Sequence, residues 1–217
     1  MPELVAPAAH AEFQYHDARH QSQTALSGMW LFLATEVLFF GGLVFVWLIY
    51  HRMHPAGFKA AAEHSNLLIG SINAAVLLTS SAVFTWGVDA SKQGRNNKVL
   101  RACAVTVLLG LTFLTLKGFE WHEDFDEHLV PGPGFGISGP DQGGAQIFYV
   151  IYYVATVLHA LHMALGIGLV SWIGWRARQR AYSREWHTPV QVVGLYWSFV
   201  DIVWLTFYPL IYVIGRT

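Results

Sequence analysis

Apolar side chains gather in five long runs along the chain, at 26–50, 65–88, 99–121, 146–175 and 190–214, with short polar stretches between them. Each run reaches the roughly 20 residues a helix needs to cross about 30 Å of hydrocarbon. No period-two alternation and no internal repeat competes with them, and a helix satisfies its own backbone groups in lipid. The pattern predicts an all-α protein, a polytopic membrane bundle of five transmembrane helices preceded by a polar tail over 1–25.

Composition agrees. Of 217 residues 54% are hydrophobic and 12% charged, where a soluble domain carries about 25% charged residues. The formal net charge is −1, and nothing points to a nucleic-acid partner. The single cysteine, Cys103, excludes an internal disulfide and a multi-cysteine metal site; near the start of an apolar run it reads as a small buried hydrophobe. The tail has neither a cationic start nor an apolar core, so it is not read as a cleavable signal. Its histidines His10, His16 and His20 read as solvated.

Lysine and arginine set the orientation. The second loop holds Lys92, Arg95 and Lys98, with Arg101 just inside the next run, and the fourth holds Arg176, Arg178, Arg180 and Arg184. The first loop has only Arg52 and Lys59, and the third has none. Positive loops stay on the cytoplasmic side, so the N-terminal tail is expected inside and the C-terminus outside. The third loop opens on Glu123, Asp124, Asp126 and Glu127 and continues rich in proline and glycine. It reads either as an ordinary solvated loop or as a steering surface for a basic soluble partner. His122 and His128 flank those acids without a spacing that fixes a metal geometry.

Ionisable groups inside the runs carry the chemistry. Glu36 sits within GMWLFLATEVLFFGG, and an acid near the bilayer centre costs about 2.5–3.5 kcal/mol on insertion scales. It survives there only when shielded, hydrogen-bonded or protonated. Asp201 lies in the last run, and His159 and His162 in the fourth. At about 1.5 Å per residue, all four fall in one zone of depth. The histidines, spaced i, i+3, are expected on one helix face, in contact with Glu36. Ala160, Ala164 and Gly168 form a small-residue row on the same helix that would allow close contact. Trp197, Asp201, Trp204 and Tyr208 share one stripe, Phe32, Glu36, Phe40 and Leu43 another. Asn73, Thr79, Ser80 and Ser81 offer cheap donors and acceptors. Lys117 and Glu120 form an i, i+3 ion pair at the outer end of the third run. Four readings compete for the central layer: hydrogen bonds that hold the bundle in register, proton handling, a carboxylate–histidine metal site, and haem ligation. The last lacks a deep histidine on a second helix. A free-standing ion transporter would use such groups to move ions, although transporters of that kind commonly show internal repeats.

GMWLFLATEVLFF, NAAVLLTSS, KGFEW, TVLHALHMALG and YWSFVDIVWL occur in that order, one in each run. Together they resemble subunit III of the haem–copper terminal oxidases, the cytochrome c and quinol oxidases. The resemblance implies a non-catalytic subunit of a proton-pumping respiratory oxidase in a bacterial inner membrane; the competing functions are an accessory subunit of a nitric-oxide-reductase-like complex and a free-standing ion transporter. Such a subunit packs on subunit I, supports its stability and its proton uptake, and carries no redox centre. Haem and copper are then expected in partner subunits, none is bound by this chain, and a bound phospholipid fits the family. The implied partners are subunits I and II, the lipid bilayer and, beyond these, cytochrome c or a larger respiratory supercomplex. Glu36 matches the family's buried acid, His159 and His162 its paired histidines, Asp201 the acid of its last helix, and Lys117 with Glu120 its pair at the end of the third run. Larger members carry two further helices before these five, so a short five-helix form is expected. Val157 stands where the family usually has glycine, Ser198 where histidine is usual, and Trp121 where tyrosine is common.

Overall fold

A computed structural model of the chain describes residues 18–216; positions 1–17, with His10 and His16, and Thr217 lie outside the described residues. The elements are α1 (Ala18–Met53), α2 (Pro55–His64), α3 (Leu67–Lys92), α4 (Asn96–Asp126), α5 (Gln142–Arg178) and α6 (Thr188–Tyr212), closed by a 3-10 turn at Ile214–Arg216. There is no strand among the described residues. All but α2 are long and apolar enough to cross a membrane, so the five-span expectation holds. The helices overrun their apolar runs, because backbone bonding continues into polar ends. α1 already begins at Ala18, inside the stretch assigned to the tail, and α4 continues past Trp121 to Asp126.

α3, α4, α5 and α6 form a closed ring in which each packs on its neighbours. α6 is buried along much of its circumference. α1 lies outside the ring, against α5 and α6. Its covered positions, Leu26, Met29, Leu33, Glu36, Phe40, Leu43, Trp47 and Tyr50, alternate spacings of three and four. That is the narrow seam of a helix held along one line. Leu31, Leu38 and Phe45 on its far side are exposed.

Glycine on α5 makes room for the tryptophan at the ring's centre, but not at the expected row. Gly168 has nothing near its missing Cβ, and Ala164 is exposed. The close approaches are at Gly166 and, on α4, Gly110: a Cβ at either would sit 3.1 or 3.0 Å from the ring of Trp197. Cys103 is buried against Gly174, as a small hydrophobe. The two tight turns Gln93–Gly94 and Gln179–Arg180 meet at one end of the bundle, where Asn96 donates to the Tyr182 carbonyl (2.7 Å) and accepts from its N–H (3.2 Å). We refer to this as the basic end and to the opposite one as the acidic end.

The first loop is mostly helix, which the run pattern did not foresee. α2 turns Phe58, Ala61 and Ala62 inward and lies across the start of α5 at the acidic end. A Cβ on Gly57 would come within 2.6 Å of the backbone at Asp141 and Ala145, so only glycine allows this crossing. Asp141 caps α5 by accepting from Gly144 N–H at 3.1 Å, accepts from Gly57 N–H at 3.2 Å, and meets His54 Nδ1 at 3.0 Å. The third loop is not simply solvated: Leu129, Phe135 and Ile137 fold back into the core, and Phe135 meets Tyr149 edge-on.

Partial burial works against ionisation of Asp141, but the bonds from His54, Gly144 and Gly57 outweigh it and hold the carboxyl below its usual range. A depressed carboxyl contributes stability above its unfolded pKa, about 3.9, and loses it as pH falls through the lower folded value. The clamp between α2 and α5 is therefore expected to stay closed at neutral pH and to release only below about pH 4. Asp141→Ala should release it at every pH, with a loss of about 1 kcal/mol, the usual cost of a missing N-cap. Limited tryptic cleavage at Lys59 at neutral pH checks this; equal protection of the variant and the parent contradicts it.

Candidate functional site

Two groups of polar side chains lie among the apolar helices, one on the flank of the ring and one inside it. The first is at mid-span. Glu36, on the seam of α1, reaches across to α5, where its Oε2 lies 3.3 Å from His162 Nε2. Both side chains keep slight exposure, 18% and 17%, because the pair sits on the flank of the bundle where α1 meets the ring. Phe40 covers the imidazole edge-on, with centroids 5.2 Å apart. His162 Nδ1 lies 2.8 Å from the Leu158 carbonyl oxygen. A carbonyl only accepts, so that contact places a proton on Nδ1. The contact of Nε2 with Oε2 joins α5 to α1 across the seam.

His159 does not join them. Three residues advance a helix by about 300°, and the 60° difference turns His159 into the ring while His162 faces α1. His159 lies fully buried between Phe113 of α4 (5.4 Å) and Trp204 of α6 (5.1 Å). Neither ring nitrogen has a hydrogen-bond partner among the described residues. The expected contact of both histidines with Glu36 is thus met by His162 alone. Asp201 is also buried and also separate. Its carboxyl faces Ser81 of α3, and among the described residues neither oxygen has a hydrogen bond of ordinary geometry. One turn earlier on α6, Trp197 donates to Ser80 at 3.1 Å. Among the described residues the buried Asn73 side chain has no hydrogen-bond partner, while Thr79 bonds the Ala75 carbonyl of its own helix. The four acids and imidazoles therefore occupy three separate places: a pair on the flank and two single groups inside the ring.

The second group, toward the acidic end, is more highly organised than the sequence suggested. Lys117 and Glu120 are 1% and 2% exposed, and their local ion pair at 3.1 Å is only part of what they do. The Lys117 ammonium also donates to Tyr152 of α5 (2.9 Å) and Tyr212 of α6 (3.0 Å), which uses all three of its protons. Tyr212 donates to Glu120 Oε1 through a short bond. The Tyr152 hydroxyl lies 3.0 Å from Asp124 and 3.2 Å from Glu120. The ammonium is also within 5.2 Å of the Trp204 ring and 4.5 Å of that of Tyr152, a range in which a ring face attracts a cation. Five side chains from α4, α5 and α6 thus satisfy one another, as burial of charge in an apolar medium demands.

Three members of this cluster escaped sequence reasoning. Asp124 stands in an acidic run that reads as loop, yet α4 continues through it and turns it inward. Tyr152 and Tyr212 carry no signal beyond being tyrosines near helix ends, where such residues are common at membrane surfaces. The only available cue is spacing: Lys117, Glu120 and Asp124 recur at three and four residues, one face of a helix.

No group of three or more His, Cys, Asp or Glu that could hold a metal ion occurs among the described residues. His122 pairs with exposed Asp126 at 3.5 Å. What the two polar groups do in the structure is tie helices together.

Glu36→Gln is expected to keep the mid-span contact, since an amide N–H can donate to His162 Nε2. Glu36→Leu should cost on the order of 0.6 kcal/mol, the mean for hydrogen bonds between membrane helices. The thermal-inactivation midpoint of the purified protein tests this, and a large loss with Gln would contradict it.

Comparison with known proteins places this geometry. The family model for cytochrome c oxidase subunit III matches residues 8–216. Cytochrome c oxidase subunit 3 of Synechocystis sp. is 30% identical over 207 residues, covering 95% of this chain and 80% of its own. That of Thermostichus vulcanus is 30% identical over 190 residues, 87% of each. The trout Oncorhynchus mykiss subunit is 29% identical over 211 residues, 92% of this chain and 73% of its own. With all five spans inside the matched region, the chain belongs to the cytochrome c oxidase subunit III family.

Proposed function

We propose that this chain is an accessory subunit of a proton-pumping terminal oxidase, held beside haem- and copper-bearing subunits in a bacterial inner membrane. The match across residues 8–216 carries this reading. On it, dioxygen is reduced elsewhere in the complex, on subunit I, and this chain stabilises that subunit and supports its proton supply. The exposed far side of α1, with Leu31, Leu38 and Phe45, supports a membrane-embedded neighbour. Arg and Lys gathered at the basic end support the tail inside and the C-terminus outside.

In this role the Lys117–Glu120 cluster is a structural tie for α4, α5 and α6. Glu36–His162 is the group able to accept and release a proton. Asp201 and His159 support the interior without a shared proton path between them.

Purification under mild detergent tests the reading. The chain should leave the membrane with haem-bearing subunits that consume oxygen, and a strain lacking it should yield an oxidase that inactivates faster during turnover. A chain that purifies alone and moves ions in liposomes would overturn the proposal.

A further inference from the structure

The buried cluster of α4, α5 and α6 holds more chemistry than a tie between helices requires. A tie needs donors and acceptors, which serine or asparagine would supply. Here the groups that donate to the carboxyls are, besides Lys117, two phenols. Tyr212 donates to Glu120 Oε1, and the Tyr152 proton is divided between Asp124 at 3.0 Å and Glu120 at 3.2 Å. Both rings are sealed, Tyr212 at 0% and Tyr152 at 2% exposure. Gly70 of α3 lets the Tyr212 ring lie against its backbone, since a Cβ there would come within 2.9 Å of the ring.

Phenols differ from other neutral hydrogen-bonding groups in giving up a single electron. The electron leaves readily only when the hydroxyl proton leaves with it, because a phenol radical cation is a very strong acid. A carboxylate already accepting that proton is a base positioned for the transfer. Tyr212 meets this condition better than Tyr152, whose proton has two acceptors. The Lys117 ammonium also stands 4.5 Å from the Tyr152 ring centroid but 5.7 Å from that of Tyr212, so its charge opposes electron loss more strongly at Tyr152. When Glu120 takes the proton, Asp124 still answers the ammonium through the Tyr152 hydroxyl.

The electron needs a way out, and a stacked ring supplies one. Tyr208, one turn earlier on α6, stacks on Tyr212 with centroids 5.6 Å and planes 29° apart. It is half-buried, on the flank where α6 meets α3, and its hydroxyl lies 2.7 Å from Ser71 Oγ. A serine hydroxyl is a far weaker base than a carboxylate, so Tyr208 can pass an electron outward while the radical comes to rest on Tyr212.

We propose that Tyr212 is a one-electron redox site, with Glu120 as its proton acceptor and Tyr208 as the ring that connects it to the bilayer. The fitting class of oxidant is the peroxyl radical of an oxidised acyl chain, which arises in the lipid beside Tyr208. In the step the Tyr212 O–H bond breaks and its proton forms a new O–H bond on Glu120. The electron passes by way of Tyr208 to the peroxyl radical, and the resulting anion takes a proton from water to become a lipid hydroperoxide. The products on this chain are a neutral tyrosyl radical and a neutral carboxylic acid. The site is separate from Glu36–His162 and does not depend on what the assembled complex catalyses.

The test is electron paramagnetic resonance of the intact purified complex in lipid, after a lipid-soluble azo initiator has generated peroxyl radicals in air. The parent is expected to show a tyrosyl component that is lost in Tyr212→Phe, grows more slowly in Tyr208→Phe and persists in Tyr182→Phe. Tyr182 is a buried tyrosine at the basic end whose hydroxyl has no hydrogen-bond partner among the described residues. After equilibration in D2O the component should also grow more slowly, because an exchangeable O–H bond breaks in the step. A tyrosine that only tied helices together would show no such effect. Retention of the subunit in the complex reports that Tyr212→Phe folds; if it does not, Tyr208→Phe and the D2O comparison decide. No tyrosyl signal in the parent, an equal signal in parent and Tyr212→Phe, an equal loss in Tyr182→Phe, or growth slowed by neither Tyr208→Phe nor D2O overturns the proposal.

Discussion

Replacing Lys117 by methionine is expected to remove about 3–5 kcal/mol of stability, the cost of leaving one partner of a buried ion pair without the other. Methionine matches the length of the lysine stem, so volume is nearly kept and the loss is electrostatic. Glu120 is then left with the tyrosines as its donors, and Asp124 remains close by on the same face. The double variant Lys117→Met/Glu120→Gln should recover most of the loss, since removing both charges leaves no uncompensated ion. The tyrosines can then hydrogen-bond the amide. Thermal inactivation of the purified complex, together with the fraction of this subunit retained on it, gives the comparison. A single variant as stable as the parent, or a double variant no better than the single, would refute the picture of a mutually satisfied cluster.

The second large effect is expected at Trp204. Its ring meets Phe113 edge-on at 4.9 Å and His159 at 5.1 Å, and it lies 5.2 Å from the Lys117 ammonium. Trp204→Ala opens a void between α4, α5 and α6 and removes a cation–π partner, so about 3–5 kcal/mol should be lost. Trp204→Phe should lose clearly less. Because Trp204 and Lys117 touch, the two losses should not add: the combined variant with Lys117→Met is expected to fall short of their sum. A loss below about 1 kcal/mol for Trp204→Ala, the range of well-tolerated swaps, would mean that the centre of the ring can collapse around the gap.

The five spans were legible because lipid demands long, unbroken apolar runs, and a pattern that extended has few alternatives. α2 was not. Its ten residues bury only Gly57, Phe58, Ala61 and Ala62, and Pro55 and Gly57 look like turn residues until α5 is seen beneath them. Among the site residues, Glu36 and His162 could be paired from depth, because an acid in lipid must find a partner and few were available. That His159 turns away from them depends on where α1 sits around the ring, which the periodicity of α5 alone does not say. The Lys117 cluster was legible only as its local pair. Its other half comes from Tyr152 and Tyr212, 35 and 95 residues further on, and a tyrosine buried against a cation has the same letter as one lying at a headgroup.

α1 leaves the ribosome well before α5 and α6, which complete its seam. At the 5–20 residues per second typical of synthesis, on the order of ten seconds pass between insertion of Glu36 and arrival of its imidazole. During that time the nascent α1 holds an acid in the bilayer with no partner from its own chain. Biogenesis must therefore keep this helix waiting beside the translocation machinery or a neighbouring subunit, and the closing of its seam marks the moment the polypeptide becomes self-sufficient.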